Sequence, residues 1–169
     1  MVRSRLVAIM QAASVFTRFE YHLAERLLNA GWLAHSPRKH RLTMRLFRRC
    51  ANAGHVDALS LYGHLLFQRG ASPQDKAVGA RCVVRAAEAG DMHAQYQAGL
   101  IYERGCAQYV RRDDRAVTWY ARAAEAGHRL AAQRLARAYR AGELNLPVDE
   151  LRAAEWAARA DHDTADTTP

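Results

Sequence analysis

Apolar residues along this chain recur at steps of three, four and seven positions, the spacing of one face of an α-helix. In the clearest case this face reads Ala116, Trp119, Tyr120, Ala123 and Ala124. Comparable faces rich in alanine occur before and after it. Alanine is the strongest helix former. The pattern therefore predicts an all-α protein.

The predicted helices belong to a repeated segment. Arg-Ala-Ala-Glu-Ala-Gly occupies residues 85–90 and again residues 122–127, and a weaker copy ends at Gly54. The closing glycines, Gly54, Gly90 and Gly127, are separated by 36 and 37 residues. A period of this length is typical of stacked helical units in which each unit contacts only its neighbours.

Each unit is predicted to contain two helices. The first begins near an alanine and ends at a glycine, a residue that accepts the left-handed conformation common after a helix. These pairs are Ala58 and Gly70, Ala94 and Gly105, and Ala131 and Gly142. The second helix follows a proline in two units, and we assign its N-cap to Asp75 and Asp149. His55 and His128 follow closing glycines and are interpreted as turn or cap residues.

The repeated segments resemble the Sel1-like repeat, a relative of the tetratricopeptide repeat. The resemblance rests on Pro-Gln-Asp-Lys-Ala, on Val-Thr-Trp-Tyr-Ala-Arg-Ala-Ala-Glu-Ala-Gly-His and on Ala-x-x-x-Ala-Gly-x-x-Tyr-x-x-Gly. It covers residues 55–160 in three units, at 55–90, 91–127 and 128–160. It implies a right-handed α-solenoid of helix-turn-helix repeats that binds proteins or peptides as a scaffold, and it implies no catalytic activity.

Residues 1–54 form a basic region before the three units. They carry ten Lys and Arg against Glu20 and Glu25, so the net charge of +8 belongs to this third of the chain. Part of the region matches the second helix of a repeat, at Leu46, Phe47, Cys50, Ala51 and Gly54. The two glutamates stand where a first helix would have small residues. We therefore interpret residues 1–54 as an atypical helical cap with a degraded half-repeat. The alternative is that the segment at residues 21–31 is not part of a repeat.

The two ends of the chain carry separate predictions. Arg3 and Arg5 precede an apolar stretch, as in a secretory signal peptide, but Gln11 interrupts it and no small-x-small cleavage site follows. The stretch is also too short to span a bilayer. An amphipathic helix fits residues 1–16 better, either docked on the repeats, which we favour, or lying on a membrane surface. Residues 161–169 are rich in Asp and Thr and are predicted to form a disordered acidic tail.

No motif in the chain indicates catalysis, a cofactor or a metal ion. Three widely spaced cysteines favour a reducing compartment over a disulfide framework. The eight histidines lack ligand spacing, and no phosphate loop or nucleophile elbow is present. The near-exclusive use of arginine over lysine is typical of a GC-rich bacterial genome. We therefore expect a bacterial protein that is not an enzyme, takes no small-molecule substrate, and is cytoplasmic or membrane-associated rather than periplasmic.

The first candidate binding surface is the face of the first helices, which lines the ligand groove in tetratricopeptide arrays. Transferred by register, unit one contributes Asp57, Ser60, His64, Phe67 and Gln68; unit two contributes His93, Tyr96, Leu100, Glu103 and Arg104; unit three contributes Leu130, Gln133, Arg137 and Arg140. Among them Phe67, Tyr96 and Leu100 are expected to form an exposed apolar patch. The alternative is that they pack against the neighbouring unit or against the N-terminal helix.

The second candidate surface is a basic stripe on one helix, opposite Leu42, Leu46 and Cys50. Its residues are Arg38, Arg41, Arg45, Arg48 and Arg49. Such a stripe can attract an acidic protein, anionic lipid or nucleic-acid phosphates. The alternative is that it forms the solvated outer face of a capping helix. Direct binding of nucleic acid is disfavoured, because no aromatic residues alternate with the arginines. The sequence therefore predicts an adaptor that binds a protein or peptide in its groove, with a membrane-surface or acidic-partner module at the basic helices as the alternative.

Overall fold

The computed structural model describes the backbone of residues 2–29 and 36–165, and the side chains of residues 16–29, 36 and 38–161. In these ranges the chain forms eight helices and no strand, which confirms the all-α class. They are α1 (Val2–Asn29), α2 (Pro37–Asn52), α3 (Val56–Arg69), α4 (Pro73–Glu88), α5 (Met92–Arg104), α6 (Asp113–Glu125), α7 (Arg129–Ala141) and α8 (Glu150–Ala165). Within the same ranges, no helix combines the length and hydropathy that a membrane crossing requires.

The helices stack in chain order. Each odd-numbered helix packs most closely against the helix that follows it, and each even-numbered helix packs against the first helix of the next pair. One apolar core runs through all four pairs, from Ala24 in α1 to Ala160 in α8. Close approach within a pair depends on small residues: a Cβ on Gly99 of α5 would overlap the Tyr120 ring of α6. This arrangement is an α-solenoid, as expected from the repeats.

The first helices of the three units begin at equivalent side-chain caps. His55, Asp91 and His128 each accept a hydrogen bond from the backbone N–H three residues further on. Such caps satisfy one of the N–H groups that the first turn of a helix leaves without a partner. The glycines before these caps have φ of 84°, 97° and 94°, a region that favours glycine. The cap role predicted for the two histidines is confirmed.

The second helices confirm one predicted N-cap and correct the other. Helix α8 begins directly after Asp149, whose carboxylate accepts a hydrogen bond from the Arg152 N–H at 3.0 Å. In α4, however, the N-cap is Ser72, not Asp75. Pro73 takes the first helical position, so Asp75 becomes the third helical residue and accepts a hydrogen bond from the Ser72 N–H at 3.2 Å. The two residues form a reciprocal capping box.

Helices α1 and α2 form a pair that resembles the three units. Tyr21 stacks on the cap residue His55 as Tyr96 stacks on the cap residue His128, so the two tyrosines are equivalent. Ala24 and Gly99 each lie three residues after these tyrosines. The fully buried Ala24 therefore takes the small-residue position that Gly99 holds in α5. The expectation that Glu20 and Glu25 replace the small residues is therefore wrong by one residue of register. Glu20 is tolerated in the interior because Arg49 pairs with its carboxylate at 3.1 Å.

Both ends of the chain extend as helices. Helix α1 starts at Val2, as an amphipathic helix requires, and packs on α2. The three interpretations of residues 1–16 depend on side chains that lie almost entirely outside the described residues. Helix α8 continues to Ala165, so residues 161–165 of the predicted disordered tail are helical. Ala160 is buried and anchors the helix, and adding one turn to an existing helix costs little. Residues 166–169 lie outside the described residues.

Candidate partner-binding surfaces

The structure divides the predicted groove residues into an exposed group and a half-buried group. The exposed group contains Asp57, Gln68, His93, Arg104, Leu130, Gln133, Arg137 and Arg140. The half-buried group contains Ser60, His64, Phe67, Tyr96, Leu100 and Glu103. The exposed group is almost entirely polar or charged. A partner that binds along the first helices therefore meets charges and amides before it meets apolar surface.

The expected exposed apolar patch is not formed. Phe67, Tyr96 and Leu100 are half-buried and pack against the core. Tyr96 stacks on His128 of the next unit with ring centroids 4.4 Å apart and an interplanar angle of 18°. Phe67 lines an open cavity together with Lys76 and Cys106. The alternative interpretation, packing against the neighbouring unit, therefore describes Tyr96.

The Tyr96 position carries a contact between units in every pair that has a successor. Tyr21 of α1 stacks on His55 with ring centroids 4.7 Å apart, as Tyr96 stacks on His128. In the unit between them, the Ser60 hydroxyl donates a hydrogen bond to the Asp91 carboxylate at 2.8 Å. Each contact holds the N-cap of the next first helix. Ser60 and Tyr96 thus join neighbouring units, and sequence reasoning missed this role because the partners are 31 to 34 residues away.

A charged network joins units two and three. Arg134 of α7 donates from Nη2 to Oε1 of Glu103 at 2.6 Å and from Nη1 to Oε2 of Glu143 at 2.6 Å. Glu103 also accepts a hydrogen bond from the Tyr120 hydroxyl at 2.5 Å. Burial alone would raise the pKa of Glu103, but the hydrogen bonds from Arg134 and Tyr120 outweigh it and hold that pKa below its usual value. Glu103 is therefore ionised and engaged inside the solenoid.

The network forms one wall of an open cavity between α5 and α7. The cavity measures about 600 Å³ and brings together three predicted groove residues, Glu103, Arg104 and Arg137. Its wall also contains Arg111 and Arg134, which sequence reasoning did not select. Aligning the repeats could have indicated Arg134, because it occupies the position in unit three that Leu61 occupies in unit one. Arg104 and Arg137 are exposed, so they are placed to meet a ligand. We call this site the groove cavity.

The basic stripe is exposed along its whole length. Arg38, Arg41, Arg45, Arg48 and Arg49 all lie on the outside of α2, and Arg49 pairs with Glu20. The predicted opposite face needs one correction, because Leu42 is 49% exposed and Thr43 is buried in its place. Thr43 tolerates burial because its hydroxyl donates a hydrogen bond to the Lys39 carbonyl at 2.9 Å. Leu42 therefore adds an apolar side chain to the outer surface of α2.

A second open cavity, of about 570 Å³, lies between α2 and α3. Three residues of the basic stripe line it: Arg41, Arg45 and Arg48. The sequence alone did not indicate this cavity, because its other wall comes from α3. We call this site the basic cavity.

No group of His, Cys, Asp and Glu side chains in the described part of the chain is arranged to hold a metal ion. His64 has one ring nitrogen, Nδ1, that is buried without a hydrogen-bond partner among the described residues. A ligand that reaches His64 would have to satisfy this nitrogen.

The solved structures that are similar to this chain include two repeat proteins. The Sel1 repeat protein from Oxalobacter formigenes is 25% identical with a TM-score of 0.63, over 77% of this chain and 93% of that one. The protective antigen c5321, present in uropathogenic Escherichia coli strains and displaying an SLR fold, is 26% identical with a TM-score of 0.75, over 90% of this chain. This chain spans 32% of the length of c5321. No protein-family model and no curated protein matches the sequence.

Proposed function

We propose that this chain, which belongs to the Sel1-like repeat family, is a non-catalytic adaptor that binds a protein or peptide along the first helices of its units. Helical repeats of this kind present extended surfaces and serve as interaction scaffolds. The solenoid offers such a surface in the exposed group of first-helix residues. Substitutions on that face test which of its residues bind the partner.

The observation that carries the proposal is the groove cavity. It collects Glu103, Arg104 and Arg137 from two successive units, as a groove along stacked first helices requires. Glu103 is engaged by Arg134, whereas Arg104 and Arg137 project at the surface. Arginine is enriched among the residues that dominate binding energy in protein interfaces, because its guanidinium forms paired hydrogen bonds with carboxylates. The partner is therefore expected to place a carboxylate or a polar loop at this site.

The test is affinity capture from the host lysate with the wild-type protein and with a charge-reversed variant, Arg104→Glu with Arg137→Glu. We expect the wild type to retain a protein at high salt. The variant should lose that protein while its far-UV circular dichroism is unchanged. The matched control is Arg85→Glu with Arg159→Glu, which reverses two exposed arginines on second helices. Equal retention by both variants would show that the groove cavity is not the binding surface.

A second candidate function is supported by the basic stripe. Its five arginines are exposed, and three of them line the basic cavity. An anionic partner attracted by these charges would bind in a manner that weakens as salt screens the interaction. The variant Arg41→Gln, Arg45→Gln, Arg48→Gln should then lose the salt-sensitive partners while keeping the salt-resistant ones. If the binding of every partner is unchanged by salt and by these substitutions, this second function is refuted.

A further inference from the structure

The basic cavity combines an apolar floor with a charged wall. Its floor contains Met44 from α2 and Tyr62, Leu65 and Leu66 from α3. Tyr62 and Leu66 are 8% and 9% exposed, so the floor is continuous with the core of the solenoid. Leu28 of α1 also lines the cavity and is 37% exposed. A ligand side chain that enters this cavity therefore meets apolar surface contributed by three helices.

The charged wall is strongly one-sided. Arg41, Arg45 and Arg48 come from α2, and Arg69 comes from the end of α3. Among the described residues that line the cavity, Asp75 is the only carboxylate, and its oxygen already accepts hydrogen bonds from the Ser72 backbone and hydroxyl at 3.2 and 2.8 Å. The lining of the cavity thus contains four arginines and one carboxylate that is engaged in a helix cap. Its electrostatic complement is an anion with several charges.

The arginines of α2 are spaced along a line. Arg41, Arg45 and Arg48 lie on successive turns, so they span about 10 Å along the helix at roughly 1.5 Å per residue. In an extended peptide, alternate side chains point to opposite sides and recur on one side about every 6.6 to 6.8 Å. Acidic residues at alternate positions can therefore face the arginine row, while the apolar residues between them face the floor.

We propose that the basic cavity is a docking site for an extended acidic peptide in which glutamate or aspartate alternates with apolar residues. This inference deepens the second candidate function and rests on it, but it does not depend on the groove cavity. A single lipid headgroup would engage one end of the arginine row, and a flat bilayer would not reach a floor that lies between helices. Guanidinium groups bind carboxylates with paired hydrogen bonds, which suits a ligand with several separate carboxylates.

The test uses fluorescence anisotropy with a fluorescein-labelled peptide, Gly-Glu-Leu-Glu-Leu-Glu-Gly, and the full-length protein at low salt. Two comparison peptides replace the glutamates by glutamine or the leucines by glycine. The first peptide should bind, and each comparison peptide should bind about tenfold or more weakly, because one lacks the charges and the other lacks the apolar side chains. Binding should also weaken as salt is raised from 0.05 to 0.5 M, concentrations between which the screening length falls severalfold.

The protein variants assign the binding to the cavity. Arg45→Gln with Arg48→Gln should weaken the peptide about tenfold or more, and Met44→Gln should weaken it by altering the floor without changing a charge. The control, Arg85→Gln with Arg159→Gln, removes the same number of charges elsewhere and should bind as the wild type does. Far-UV circular dichroism checks that each variant is folded.

Three results would overturn the inference. Equal binding of the leucine and glycine peptides would show that the floor is not used. Equal weakening by the control variant would show that only net charge matters. Sedimentation with phosphatidylserine vesicles that depends on Arg45 and Arg48, together with no binding of the leucine peptide, would assign the arginines to a membrane. In each case the capture of a partner that depends on Arg104 and Arg137 would stand unaffected, so the failure of this inference is distinguishable from failure of the adaptor function.

Discussion

Replacing Arg134 by glutamine tests whether the network between units two and three holds the stack together. The Arg134 side chain is 11% exposed and Glu103 is 21% exposed, so their ion pair lies largely within the solenoid. Removing one partner of a buried pair costs about 3–5 kcal/mol, and a hydrogen bond to a charged group contributes about 1.5–3 kcal/mol. Glu103 keeps the Tyr120 hydrogen bond and some access to water. We therefore expect Arg134→Gln to lower the free energy of unfolding by about 2–3 kcal/mol.

Urea-induced unfolding followed by circular dichroism measures this loss. The control is Arg137→Gln, because Arg137 is 67% exposed and 3.8 Å from Glu143, and an exposed pair of this kind contributes less than about 1 kcal/mol. The pKa of Glu103 is lowered in the folded state, so the stability it provides is complete above its unfolded pKa and is lost as the pH falls through the folded pKa. Glu103→Gln should therefore reduce the acid sensitivity of unfolding. A loss below about 0.5 kcal/mol for Arg134→Gln would show that this network does not hold the two units together.

Three further substitutions test single contacts. Gly99→Ala should lower the free energy of unfolding by about 1–3 kcal/mol, measured by urea titration, because its Cβ would overlap the Tyr120 ring; an unchanged midpoint would contradict the close approach. Ser72→Ala removes the capping box of α4 and should cost about 1 kcal/mol in the same assay, and no loss would show that the cap does not stabilise the helix. Burial, and secondarily the charge of His93, lower the pKa of His128, so the wild type should lose stability as the pH falls below about 6.5. His128→Asn keeps a capping side chain and should show a smaller drop in melting temperature between pH 7.5 and 5; an equal drop would exclude His128 as the cause.

Much of the fold followed from local sequence rules. The alanine faces, the closing glycines and the cap histidines each depend on contacts within a few residues, and all of them lie where the periodicity predicts. The errors had both local and non-local causes. At Asp75 the proline rule outweighed the preference of aspartate for the N-cap, and Ser72 took that position. At Glu20 a buried charge was tolerated because its partner, Arg49, comes from another helix.

The candidate sites were less accessible to sequence reasoning. Periodicity places Tyr96 on the first-helix face, but it does not show that His128 of the next unit covers the ring. Likewise, the arginines of α2 could be counted from the sequence, whereas the apolar floor beside them required the position of α3. In a solenoid each surface is shared between neighbouring units, so side-chain exposure depends on partners more than 30 residues away.

The most direct test of the adaptor function is capture of a host protein at high salt, with mass spectrometry to identify what is bound. Three proteins are compared: the wild type, the variant Arg104→Glu with Arg137→Glu, and the control Arg85→Glu with Arg159→Glu. We expect a protein that the wild type and the control retain and that the Arg104→Glu, Arg137→Glu variant loses while its helicity is unchanged. Retention of the same proteins by all three, or of none by the wild type, would contradict it.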